Sequence, residues 1–270
     1  MRFSQALAHK PAADKGGKKA KVPYDPFDVP PKELFITDIE PVHKLVLNKF
    51  AIVPEHFILA TRAFKEQTCL LEEADIAATF SLIQTWKREG GDLFAFFNCG
   101  EHSGASQRHR HVQFLPIERM QDSVTGTWTP ILDLLVDGDN SLVPFMTFSE
   151  KIPINATSQQ LHKIYQRLYE RACMYTGVKS PCLEENTASQ ISFNLAMSDK
   201  TICICPRKAE GASLTTKDHT GFVALNGTFL AGTLLVKNEL EWKTLRGDEK
   251  QLEHILRTIG YSTAYDNNKL

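Results

Sequence analysis

The chain has 270 residues, 42% hydrophobic and 23% charged, and a formal net charge of −1 from 31 basic and 32 acidic side chains. That balance excludes a disordered, collagen-like or disulfide-stapled chain, and the length suffices for one large core or two modest ones. It also lacks the basic excess that a nucleic-acid binder carries, so an anionic ligand must be held by a local arrangement of donors.

No uncharged apolar run approaches the ~18 residues of a membrane span. The start, Met1 to Ala8, is too short for a secretory apolar core before His9 and Lys10. The expectation is a soluble protein of the cytoplasm, with the nucleus as second compartment and no nucleic-acid or membrane partner. Residues 1–33 read as an extended or loop segment, because Pro11, Gly16, Gly17, Pro23, Pro26, Pro30 and Pro31 forbid a helix or central strand. Lys18, Lys19 and Lys21 in it read as a solvated tract.

Residues 34–270 read as a single α+β domain. Lys44 to Phe50 and His56 to Thr61 are short apolar runs divided by Pro54, the pattern of adjacent antiparallel strands. Ile76, Phe80, Leu82, Ile83 and Trp86 are spaced for a helix over 72–89, ended by Gly90-Gly91. Leu93 to Phe97 reads as a buried strand, and 115–145 as loop-rich. Thr157 or Ser158 caps a second helix that runs to Gly177. Ile191 to Met197 and Thr201 to Cys205 form a hairpin around Ser198-Asp199-Lys200. A further strand pair is expected to flank Asn226-Gly227, with Leu234-Leu235-Val236 in its second strand. A last helix spans 248–259 and stops at Gly260. Strands in succession without alternating helices predict a largely antiparallel sheet flanked by helices.

The six cysteines form no CxxC pair, and they read as small buried hydrophobes in a reducing compartment. Chemistry concentrates in Asn98 to Pro116. If His109 to Phe114 is a strand, His109, His111 and Gln113 line one face, while Val112 and Phe114 face the core. Two imidazoles and an amide in a row are costly if buried and idle, so they point to a ligand. A neutral imidazole is a nucleophile once a fixed acceptor, such as the backbone carbonyl of His109, holds the proton on its other nitrogen. Gln113 can donate to a phosphoryl oxygen. The small loop Ser103-Gly104-Ala105-Ser106-Gln107 can present backbone N–H groups as an anion nest, with Gly104 allowing close approach to the ligand. Two other readings stay open on residues alone. One is a metal site of Cys99, His102, His109 and His111. The other is a solvated polar strand face.

His109-Arg110-His111-Val112-Gln113 resembles the HxHxQ form of the histidine triad superfamily, in its transferase branch. With Leu45 to Phe50, Val53 to Phe57, Gly104 to Gln107, Phe193-Asn194, Cys205-Pro206-Arg207 and Asn226-Gly227-Thr228, the chain is similar to the fungal diadenosine tetraphosphate phosphorylases (ATP adenylyltransferases) from about Lys10 onward. The resemblance implies a histidine-triad-like α+β fold. It also implies a nucleotidyltransferase in which His111 attacks the α-phosphorus of the dinucleotide and expels ATP. Phosphate then takes the AMP to give ADP, reversibly.

The same resemblance places Lys10, Asn48, Lys49, Asn98, Gly104, Ala105, Ser106, Gln107, Gln113, Asn226, Gly227, Thr228, Thr233 and Lys237 at substrate-contacting positions, with His111, His109 and Gln113 catalytic. The implied partners are diadenosine tetraphosphate, ATP, ADP and phosphate, on a monomer. No tightly bound cofactor or protein metal site is expected; a divalent cation, Mg2+ or Mn2+, accompanies the nucleotide. Three departures accompany the likeness: a short segment before Lys10, Thr233 where the family tends to have Met, and Asp199-Lys200-Thr201 at the hairpin. The first two set a catalytically impaired nucleotide-binding protein beside the transferase, and a diadenosine polyphosphate hydrolase is a further alternative.

Overall fold

Short apolar runs, each ended by Pro, Gly or a polar turn, pair into one broad sheet. The computed structural model describes residues 2–3, 24–39, 41–120, 129–135, 140–215 and 220–263. In chain order it contains β1 (Arg2–Phe3), β2 (Phe35–Ile39), β3 (His43–Leu47), β4 (Phe57–Thr61), α1 (Glu73–Arg88), β5 (Leu93–Cys99), β6 (His111–Pro116), α2 (Ile117–Met120) and α3 (Ile131–Leu134). There follow β7 (Phe148–Lys151), α4 (Ser158–Tyr175), β8 (Ser192–Met197), β9 (Thr201–Arg207), β10 (Gly211–Thr215), β11 (Thr220–Ala224), β12 (Leu235–Val236), α5 (Glu239–Gly247) and α6 (Glu249–Ile259). Eight strands form one sheet in the order β2-β3-β4-β6-β5-β8-β9-β7, and every neighbouring pair is antiparallel.

Strand periodicity sorts the side chains onto two faces. On one, Ala95, Phe97, Cys99, Val112 and Phe114 pack against Ile76 and Ile83 of α1 and Leu161, Ile164, Tyr165 and Leu168 of α4. Each such side chain, fully buried, contributes roughly 1.5–3 kcal/mol. Both helices begin with reciprocal caps: Asp75 Oδ2 accepts the Glu72 N–H at 2.9 Å, and Thr157 and Gln160 exchange bonds of 2.9 and 3.2 Å. The opposite face is covered in two patches. Phe94, Phe96, Ala196, Cys203 and Cys205 meet β10, β11, α5, α6 and the 3-10 helix Gly227–Ala231. Val46, Ile58 and Ala60 meet Phe27. The two patches leave a seam along β6.

Two expectations are corrected here. Asn226-Gly227 is not a hairpin turn: Asn226 caps the 3-10 helix Gly227–Ala231, and β12 pairs in parallel with β1, not with β11. The Asn226 carboxamide accepts the Thr228 N–H at 3.2 Å, and that local bond competes with a ladder. The segment before residue 34 is not simply an exposed crossing, because Phe27 is buried against the sheet. Lys18, Lys19 and Lys21 lie outside the described residues. Among the described residues no helix is long and apolar enough to cross a membrane.

Candidate active site

The seam holds the polar row. Strand register aligns His111 with Ala60 and Gln113 with Ile58 on β4, and Gln113 with Phe96 on β5. His111, Gln113 and Asn98 therefore share a face, the one opposite α1 and α4. The ladder between β5 and β6 stops at Phe96 and Gln113. Beyond it the buried carboxamide of Gln67 bridges the two main chains: Oε1 accepts the His111 N–H at 2.8 Å, and Nε2 donates to the Asn98 and His111 carbonyls at 2.8 and 3.3 Å. On the β5 side that wedge takes the place of a regular pair and holds the His111 backbone.

His111 Nδ1 lies 2.8 Å from the carbonyl oxygen of His109. A carbonyl only accepts, so Nδ1 carries a proton and the neutral ring has its lone pair on Nε2. Gln113 is oriented from the other side. Its Oε1 meets His56 Nε2 at 3.2 Å and Asn48 Nδ2 at 3.5 Å. His56 sits in the same cluster, with the Ile52 N–H 3.4 Å from its Nδ1 and the Asn48 amide nitrogen 3.1 Å from its Nε2, and Gln113 Oε1 accepts from that Asn48 amide. The Gln113 amide N–H groups are then the end left for a ligand. Asn48 is set by the Phe50 N–H on its Oδ1 at 2.8 Å.

Behind the histidine a chain of buried amides ties two loops to the sheet. Asn98 Oδ1 accepts from Asn194 Nδ2 and from the Gly227 N–H, both at 2.8 Å. Asn194 Nδ2 also donates to the Ser103 carbonyl at 2.9 Å. Arg207 anchors the far end, donating to Asn194 and, at 3.0 Å each, to the carbonyls of Ala209, Glu210 and Leu225. Burial pulls its guanidinium down to about 10, still charged at neutral pH. Asn98, loop 103–107 and residues 226–228 thus converge beside His111. A Cβ on Gly227 would lie 3.0 Å from Asn98 Oδ1 and 2.9 Å from the Phe96 ring, so only glycine fits there.

Several expected roles change. The His109 ring does not face a ligand: Nδ1 bonds Asp25 Oδ2 at 2.7 Å, and Nε2 meets Thr61 Oγ1 and the Thr61 carbonyl at 2.9 and 2.8 Å. Gly104, at φ 77°, serves loop-to-loop packing, since a Cβ there would lie 2.6 Å from the Leu225 carbonyl oxygen. The Ala105 N–H turns back to Ser103 Oγ at 3.3 Å, which reduces the expected nest to Ser106 and Gln107. The metal reading fails on direction: Cys99 packs in the α1–α4 core, and burial pushes its thiol well up. Thr233 is buried and bonds the Thr228 carbonyl through its N–H at 3.2 Å. Lys49 and Lys237 are exposed, and no hydrogen bond ties either side chain to the cluster among the described residues. Lys10 lies outside those residues. A concavity of about 410 Å3 lined by Lys32, Lys44 and Arg62 lies at the β2 edge.

Comparisons with known proteins bear on the family and the fold. The Ap4A phosphorylase N-terminal domain matches residues 1–137, and the ATP adenylyltransferase C-terminal domain matches residues 141–262. The chain belongs to the Ap4A phosphorylase family. Diadenosine 5',5'''-P1,P4-tetraphosphate phosphorylase 2 of Saccharomyces cerevisiae is 28% identical to it, over 96% of this chain and 82% of the relative. Protein APA1 of the same yeast is 25% identical over 94% and 82%. The crystal structure of yeast Ap4A phosphorylase Apa2 superposes with a TM-score of 0.76 at 25% identity, covering 97% of this chain and 85% of that one. The same yeast protein in complex with Ap4A gives a TM-score of 0.75. The α+β class with a large antiparallel sheet is the fold of this family. Its two matched domains meet near residue 140, yet β2–β6 and β7–β9 share one sheet.

Proposed function

We propose that the chain is a nucleotidyltransferase that splits diadenosine tetraphosphate with inorganic phosphate into ADP and ATP. The observation that carries the reading is the His109 carbonyl on His111 Nδ1, at 2.8 Å, inside a cluster of amide donors. His111 Nε2 attacks the α-phosphorus, a nitrogen–phosphorus bond forms, and the bond to the bridging oxygen breaks to release ATP. A phosphate oxygen then attacks the same phosphorus and displaces the imidazole, giving ADP. Gln113 and the N–H groups of Ser106 and Gln107 stabilise the charge that builds on the non-bridging oxygens. Asn48 and Asn98 orient the nucleotide, with Asn226, Gly227 and Thr228 closing the other wall. Lys49 and Lys237, and Lys10 outside the described residues, supply positive charge to the phosphates. The enzyme acts as a monomer.

Mg2+ or Mn2+ travels with the polyphosphate and neutralises part of its charge. Among the described residues the carboxylate nearest the histidines is Asp25, and His109 takes it up, so the cation is held by phosphate oxygens and water. Chelation should stop turnover and added Mg2+ should restore it, with less than one metal per chain in the dialysed active protein by elemental analysis.

The reading is tested by incubating the protein with diadenosine tetraphosphate and phosphate and separating the products. ADP and ATP in equal amounts are expected. AMP and ATP without ADP would make the chain a hydrolase.

A further inference from the structure

The turn Tyr24-Asp25-Pro26-Phe27-Asp28 is anchored to the histidine face at three points. Phe27 is buried on Val46, Ile58 and Ala60, with its ring 5.1 Å from His111 and edge-on to His109 at 5.7 Å. Lys44 Nζ holds the turn's backbone, donating to the Phe27 and Asp28 carbonyls at 2.7 and 3.1 Å. The two oxygens of Asp25 have separate tasks. Oδ1 accepts the Phe27 N–H at 2.9 Å and shapes the turn, whereas Oδ2 reaches His109 Nδ1 at 2.7 Å.

His109 needs such a partner. It precedes β6, and its backbone makes an isolated bridge to Glu66, outside the strands of the sheet, so no ladder fixes its side chain. Its ring is nevertheless held at both nitrogens and flanked by Phe27 and Phe64. A carboxylate only accepts, so Asp25 requires a proton on His109 Nδ1. At Nε2 the ring meets both the hydroxyl and the carbonyl of Thr61, which seat it against the end of β4. Fixing the ring fixes the residue whose carbonyl holds the proton on His111 Nδ1.

We propose that Asp25 is a positioning residue for the nucleophile: through His109 it keeps the His109 carbonyl on His111 Nδ1, and so keeps the His111 lone pair on Nε2. This rests on the reading of His111 as nucleophile. A misdirected tautomer is costly wherever an imidazole must present one particular nitrogen. Here the carboxylate acts one residue removed, so the loss is smaller than that of the nucleophile itself. Asp25 also explains why a carboxylate is tolerated beside a polyphosphate site: its charge is spent on an imidazole N–H.

The test compares Asp25→Ala and Asp25→Asn with the wild type, by steady-state kinetics and by 15N NMR of the His111 ring in substrate-free protein. Asp25→Ala should lower kcat about 10- to 100-fold with KM within about 3-fold, and its His111 should show a mixture of tautomers. Asp25→Asn, which keeps an acceptor oxygen at that place, should recover at least about 5-fold of the lost kcat. A His111 ring that stays wholly in the Nδ1–H form in Asp25→Ala, or a kcat within about 2-fold of wild type, overturns the proposal. The NMR reading needs no turnover, so it stands apart from any failure of the phosphorylase reading. If Asp25→Ala does not fold, the same two measurements on Asp25→Asn decide. An amide hydrogen-bonds His109 more weakly than a carboxylate, so a kcat reduced about 2- to 20-fold with detectable tautomer mixing supports the proposal, and a wild-type ring and rate overturn it.

Discussion

Neighbouring residues at the start of β6, Arg110 just before it and His111 at its first position, meet two different fates across the sheet. On the face toward α1 and α4, Arg110 is buried and its charge is met within the fold: Nη1 lies 3.0 Å from Glu72 Oε1 and from Asp75 Oδ2, and Nη2 lies 2.6 Å from Asn186 Oδ1. Asp75 in turn holds His43 at 2.6 Å. On the other face the His109 carbonyl meets His111 Nδ1, and Gln113 is tethered through its oxygen. The first cluster turns polar groups inward and supports the fold. The second directs hydrogen-bonding capacity outward and supports the chemistry. Substitutions on the two faces should therefore separate stability from turnover.

The largest separation is expected at His111. His111→Ala should lower kcat by at least about 10^4-fold, because the covalent route is lost, while thermal unfolding stays within a few degrees of wild type. Arg110→Ala should do the reverse. It leaves Asp75 and Glu72 without their buried counter-charge, so chemical denaturation should show a loss of about 3–5 kcal/mol. Gln113→Ala should cost about 10^2-fold in kcat, the effect of removing one donor to a developing oxyanion, with little change in denaturation midpoint.

Between these two clusters, a pH effect on stability should belong to the inner one. Burial pushes the Asp75 carboxyl up, but the His43 hydrogen bond and the Arg110 charge outweigh it and hold the carboxyl below its usual value. A carboxyl depressed in the folded state stabilises fully above its unfolded pKa, near 4, and that contribution drains away as pH falls through the folded value. Urea denaturation between pH 7 and 3 should show a falling stability in wild type. The slope should be shallower in Asp75→Asn and unchanged in His111→Ala.

Much of this division is legible in the residues. Alternation places Val112 and Phe114 in the core and aligns His111 with Gln113, because a strand's period is fixed by its backbone. The capped helix at Thr157 and the hairpin at Ser198-Asp199-Lys200 are local features and are read locally. Arg110 is hidden from the same logic. Its alternation is clear, but its burial depends on Asp75, 35 residues away, and on Asn186, 76 residues away. Gln67, His56 and Asp25 are hidden for the same reason: each is a lone polar residue whose partner arrives only through tertiary packing. Asn226-Gly227 misleads because the dipeptide suits both a hairpin and a helix start, and only the Asn226–Thr228 bond decides.

The most direct measurement is intact mass spectrometry after brief incubation with diadenosine tetraphosphate in the absence of phosphate, followed by peptide mapping. One AMP per chain, on His111 and absent from His111→Ala, is the expected result. No adduct under conditions where the dinucleotide is consumed, or an adduct on another residue, would contradict a covalent route through this histidine.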